Sequence, residues 1–139
     1  LLASSLAHEL LDHALLNQVG LRQGLRLKGG LAPAVRRRVR DYIEQHLAEP
    51  LSLDILASLC SLSEYHFARM FQSSFGLPPH RYVLARRMAL ACHLLRHTRQ
   101  SLAQVAMTCG FASASHFSNR FRQALGDTPS RYRQAFEPT

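Results

Sequence analysis

The chain's 139 residues suffice for one ordinary domain or two very small ones, and 47% apolar with 19% charged residues excludes wholesale disorder. A formal net charge of +8 favours nucleic acid or an anionic membrane surface as partner, while nine acidic residues leave few candidates for paired-carboxylate catalysis. No run approaches the roughly 20 apolar residues of a bilayer span, and no secretory signal is visible.

Residues 1–16 read as an amphipathic helix, with Leu2, Leu6 and Leu10 four apart and Leu11 and Leu15 beside them. Within it, His8-Glu9-Leu10-Leu11-Asp12-His13 looks like the zinc-protease signature H-E-x-x-H. The geometry fails, because histidines five apart point roughly 140° away from each other on a helix. Residues 17–34 hold Gly20, Gly24, Gly29 and Gly30 and only scattered leucines, so they read as a linker. The chain starts at Leu1 without a methionine, so a fragment or a processed piece is expected.

A helix is expected from near Pro33, since proline suits a first turn. Val35, Val39, Ile43 and Leu47 form its buried stripe, and Arg36, Arg37, Arg38 and Arg40 lie mostly opposite, as a solvated face rather than a phosphate clamp. Arg37–Asp41 and Arg40–Glu44 are i,i+4 pairs worth only tenths of a kcal/mol. Pro50 ends this region. Ser52 then caps a short helix that turns Leu53, Leu56, Ala57 and Cys60 inward. A second helix follows, with Phe67, Met70, Phe71 and Phe75 on its apolar face and Tyr65, Ala68, Arg69 and Gln72 facing out.

The helix from Pro79 to about His97 carries Leu84, Met88, Ala91 and Leu95 at i, i+4, i+7, i+11 and is interrupted by neither glycine nor proline. At 1.5 Å per residue it spans about 28 Å. His93 and His97 stand i,i+4, a metal-compatible spacing, but no third ligand is in view. Ser101 and Gln104 make a capping-box pattern for the next short helix. Gly110 suits a left-handed turn; Ser61, its counterpart, would adopt that shape at a cost on the order of 1 kcal/mol. A further helix places Phe117, Phe121, Ala124 and Leu125 inward. Ala114, Ser115, Ser118, Asn119 and Arg122 are left outward. Gly76 and Gly126 end their helices, and Pro79 and Pro129 open the next ones.

The two halves repeat. At a shift of 49, Ser52, Leu53, Ala57 and Cys60 match Ser101, Leu102, Ala106 and Cys109. At a shift of 50, His66, Phe67, Phe71, Gly76, Pro79, Arg81 and Tyr82 match His116, Phe117, Phe121, Gly126, Pro129, Arg131 and Tyr132. Such order indicates one helix-turn-helix unit used twice. The expected fold is therefore all-α: helix-turn-helix units at 52–76 and 101–126, joined by a linker helix at 79–97. The aromatics serve the core rather than base stacking. Cys60, Cys92 and Cys109 are odd in number and lack any C-x-x-C spacing, so they read as small buried thiols in a reducing cytoplasm.

The pieces Arg87-Met88-x-x-Ala91-x-x-Leu94-Leu95, Val105-Ala106-x-x-x-Gly110-Phe111, Phe117-x-x-x-Phe121-x-x-x-Leu125-Gly126 and Pro129-Ser130-Arg131-Tyr132-Arg133 together resemble the AraC/XylS family of bacterial transcription regulators. The similarity covers residues 35–136. It implies a seven-helix DNA-binding domain with two reading helices held by one rigid linker helix, here preceded by an extra N-terminal helix. By the same resemblance, Tyr65, His66, Ala68 and Arg69, then Ala114, Ser115, His116 and Asn119, contact bases, and Gln72, Arg120 and Arg122 complete the DNA-facing set. Arg69 keeps the family's arginine between Phe67 and Phe71; Asn119 replaces it between Phe117 and Phe121. Asn119 is thus open to base reading or phosphate holding, and His66 and His116 to base contact, phosphate contact or capping. Family members often carry a separate effector-binding or dimerisation domain, of which residues 1–16 would be a remnant.

The function expected is sequence-specific binding of double-stranded DNA in two successive major grooves by a transcription regulator, with RNA polymerase and a small-molecule effector as further partners and no membrane. The competing reading is a basic helical interaction module that contacts the transcription machinery. No phosphate loop, nucleophile elbow or carboxylate pair is present, so an enzyme is not expected, and neither a cofactor nor a bound metal is implied.

Overall fold

The computed structural model describes residues 29–137; the helix expected at 1–16 and most of the 17–34 linker lie outside them. Seven helices follow in these residues: α1 (Pro33–Gln45), α2 (Leu53–Leu59), α3 (Glu64–Phe75), α4 (Pro79–His97), α5 (Leu102–Thr108), α6 (Ala114–Leu125) and α7 (Pro129–Ala135). The architecture is all-α, as the pattern of apolar spacings predicts.

Two cores form, one per repeat. In the first, Val39, Ile43 and Leu47 meet Leu56, Ala57, Phe67, Phe71 and Val83. In the second, Met88, Ala91 and Leu95 of α4 meet Val105, Ala106, Cys109, Phe111, Phe117 and Phe121. The early part of α4 serves the first core and the later part the second, with Leu90 packed against both. Phe67, Phe71, Phe117 and Phe121 are fully buried, each stabilising the fold by about 1.5–3 kcal/mol. The duplication extends to ring geometry. Phe67 lies 5.6 Å from Phe71, and Phe71 meets Tyr82 edge-on at 5.4 Å. Phe117 lies 5.6 Å from Phe121, and Phe121 meets Tyr132 edge-on at 5.4 Å.

The end of the expected linker is not loose. Leu31 is buried in the first core, and its amide donates to Ser74 Oγ at 2.7 Å. Apolar contact and a satisfied backbone donor thus pin this segment to α3 before Pro33 starts α1. The charge pairing also differs from local expectation. Glu44 pairs with Arg86 of α4 instead of Arg40, and Arg40 approaches Asp41 at 3.9 Å. An i,i+4 pair on an exposed face is weak, and a half-buried partner from another helix outcompetes it.

Each unit is closed by an arginine that the apolar pattern did not reveal. Arg87 of α4 donates to the carbonyls of Leu47 at 3.1 Å and Glu49 at 2.9 Å, in the turn after α1. Arg133 of α7 donates to the carbonyls of Leu95 at 3.1 Å and Thr98 at 3.4 Å, at the end of α4. In both cases the helix after a helix-turn-helix sends a cation to the carbonyl end of the helix before it. Unpaired carbonyls and the negative end of the helix dipole favour that placement.

Candidate nucleic-acid interface

The turn that sets α3 against α2 contains Ser61 at φ 54°, and the equivalent turn between α5 and α6 contains Gly110 at φ 84°. Both adopt the left-handed shape expected of them. At Gly110 a side chain meets a second obstacle: a Cβ would run into the Leu47 carbonyl oxygen and stand 3.0 Å from the Arg87 guanidinium carbon.

Serines start both α3 and α6. Ser63 accepts the His66 amide at 3.2 Å, and Ser113 accepts the His116 amide at 3.0 Å. The histidines therefore enter the caps through their backbone, and both rings remain on the exposed surface. That removes capping from the three roles left open for these side chains. Ser52 sits at the N-cap of α2 without a side-chain cap bond, whereas Ser101 and Gln104 form the full capping box expected of α5. Gly76 and Gly126 close α3 and α6 in the left-handed conformation, at φ 80° and 83°.

With the phenylalanines buried, the opposite faces fill with polar side chains. On α3, Tyr65, His66, Arg69 and Gln72 are exposed; on α6, Ser115, His116, Asn119, Arg120 and Arg122 are exposed. Ala68 and Ala114 are only half-buried edges of those faces, so a methyl contact is all they can offer. By the repeat, Tyr65, His66, Arg69 and Gln72 occupy the places of Ser115, His116, Asn119 and Arg122. The structure thus assembles the expected residues into two equivalent surfaces. Ala124 departs from expectation: it falls on the apolar stripe but lies exposed in the last turn of α6, where Leu125 packs on the core instead.

Arg69 is held in place. Its Nη1 donates to the Tyr65 hydroxyl at 3.2 Å, and its guanidinium carbon lies 5.7 Å from the Tyr65 ring centre. A tyrosine one turn earlier thus limits the sweep of the arginine. Charge supports an anionic partner: residues 63–137 contain ten arginines and only three acids, Glu64, Asp127 and Glu137. Glu64 sits in the first turn of α3, where the helix dipole favours a carboxylate.

The remaining reactive groups are quiet. Burial pushes the Cys109 thiol up to about 12, and Cys92 and Cys60 are raised for the same reason. The His93 and His97 rings lie 5.0 Å apart, and among the described residues no group of three His, Cys, Asp or Glu is placed to hold a metal ion. Among the same residues, no helix is long and apolar enough to cross a membrane.

The family profile described as "Helix-turn-helix domain" matches residues 56–135. The chain is 43% identical over 94 residues to a probable transcriptional regulator, LumQ, of Photobacterium leiognathi, covering 68% of this chain and 38% of that one. The chain spans 38% or less of the length of the curated relatives it matches, 34% for the activator RhaS of Escherichia fergusonii. Among solved structures, the DNA-binding domain of AdpA, a global transcriptional factor determined with a target DNA, superposes with a TM-score of 0.70 at 32% identity, covering 73% of this chain and 91% of that one. With profile, relatives, helix order and paired polar faces in agreement, the chain belongs to the AraC/XylS family of transcription regulators, and residues 56–135 are its helix-turn-helix domain.

Proposed function

We propose that this chain is the DNA reader of a transcription regulator, and that one copy places α3 and α6 in two successive major grooves of a single duplex. The observation that carries this reading is the pair of equivalent exposed polar faces on helices that share the unbroken 19-residue α4. Successive major grooves on one side of B-DNA repeat at about 34 Å. A 19-residue helix is about 28 Å long, and the lateral offset of each reading helix supplies the remainder.

In the groove, each base pair shows a distinct donor and acceptor pattern. Arg69 offers two parallel donors to guanine while Tyr65 steadies it. Asn119 has the donor and acceptor that match adenine, although the same amide also suits phosphate. His66 and His116 sit at the third position of their helices, close to the duplex backbone or a base edge. Gln72, Arg120 and Arg122 extend the contact, with Ser115 as a short donor. The arginines add sequence-independent affinity by releasing counterions. Because the two faces differ in side chains, the preferred site is not palindromic. Contact with RNA polymerase and control by a small-molecule effector through a further domain complete the reading, as does a cytoplasmic setting.

Hydroxyl-radical footprinting at saturating protein tests it. Two protected windows on one duplex face, one helical turn apart, are expected from a single bound copy. A single protected groove sinks the two-groove geometry. The competing reading, a basic module that binds the transcription machinery, predicts weak duplex binding with no steep loss as salt is added.

A further inference from the structure

We propose that Arg87 is a positioning residue that fixes the angle between the two reading helices, by locking the turn of the second unit onto the end of α1 in the first. The inference rests on the two-groove reading.

The two cores are separate clusters among the described residues, and Leu90 of α4 packs against both. A shared helix fixes a distance well. It fixes relative orientation less well, since a long helix bends gently along its length. A second contact away from the axis removes that freedom. Arg87 supplies one. Its Nε and Nη2 hold the carbonyls of Leu47 and Glu49, which belong to the first unit. Leu47 is itself buried in the first core. A Cβ added at Gly110, the left-handed residue of the second unit's turn, would run into the same Leu47 carbonyl and stand 3.0 Å from the same guanidinium, so that turn lies beside both. Three segments distant in sequence therefore meet at one cation.

Arg133 makes the same kind of bonds, but between α7 and the end of α4, both of which pack with the second unit. Arg87 is different because its contacts lie on both sides of the linker. A planar fork that engages two carbonyls at once resists rotation more than a single contact does. Burial lowers the Arg87 pKa from the ordinary arginine value, and the side chain still carries its charge at neutral pH.

The test uses the 139-residue chain, its Arg87→Lys and Arg87→Met variants, and duplexes in which the two subsites are moved closer or further apart by one or two base pairs. Wild type is expected to prefer one spacing. In the variants, discrimination against the neighbouring spacings should fall about tenfold, the effect of one lost charged hydrogen bond. Binding to an isolated subsite should hardly change. Thermal melts select the variant that is folded at the assay temperature, and Arg87→Lys keeps the charge if Arg87→Met does not fold. Residual dipolar couplings on the free protein supply a readout without DNA: α3 and α6 should share one alignment frame in wild type and lose it in the variants. Unchanged spacing profiles and a retained common frame in the variants overturn the role of Arg87. Absence of any spacing preference in wild type overturns the two-groove reading instead, and the dipolar couplings then still judge Arg87.

Discussion

Arg69 projects from the middle of α3 with one nitrogen already engaged by Tyr65. Arg69→Ala should cost ~1–3 kcal/mol on the best duplex site and relax preference at one base pair. Titrations against single-base variants of the site decide this; equal loss on every sequence would place Arg69 on phosphate. Ser61 makes the opposite kind of prediction. It holds φ 54°, a shape glycine adopts freely and serine does not. Ser61→Gly should therefore stabilise the domain by about 1 kcal/mol, seen as a raised melting temperature. A lowered one would mean that the serine side chain compensates its own strain. The left-handed pair Ser61 and Gly110 could be read from the repeat, because the turn must do the same work twice. That Gly110 also has no room for a side chain could not, since the obstacles, Leu47 and Arg87, are remote in sequence.

Helix positions were legible because each helix has an apolar stripe of matching period and a marked end. Pro33, Pro79 and Pro129 begin helices, and Gly76 and Gly126 end them. The caps were less legible, since a serine near a helix start does not declare whether its hydroxyl reaches an amide. Ser113 caps α6 and Ser63 caps α3, while Ser52 does not cap α2 with its side chain. The Ser52 hydroxyl instead bonds Asp54, whose pKa it lowers. Ser113→Ala should thus cost about 1 kcal/mol, as cap removals do, and Ser52→Ala distinctly less. Urea unfolding of the two variants side by side measures the difference. Equal losses would contradict the assignment of the caps.

What periodicity could not supply is the set of contacts between helices far apart along the chain. Arg86 and Arg87 sit off the α4 stripe, yet one pairs with Glu44 and the other binds the turn after α1. The polar reading faces were legible as what remains once the phenylalanines are buried, and the resemblance then gave them a role. Buried acids of weak acidity give the molecule a further property. An unfolded Cys109 thiol ionises near 9.0, and the folded one only at about 12. Below pH 9 both states are neutral, and the stabilisation is fully present. As pH rises through that window the unfolded state sheds a proton that the folded state keeps, so stability falls. Cys92 and Tyr132, raised chiefly by burial, act in the same direction. The melting temperature should decline above pH 9, and Cys109→Ala should flatten the decline. An unchanged slope in that variant would remove Cys109 as a cause.

In the two-groove reading, α3 and α6 of one copy enter neighbouring grooves of one duplex. Directed cleavage measures this most directly, with an iron chelate attached at Gln72→Cys in one preparation and at Arg122→Cys in another. Two cleavage centres are expected on the same duplex face, about 10 base pairs apart, each produced by a single bound copy. Cleavage at one common groove from both positions, or cleavage from α6 only when a second copy binds, would contradict it.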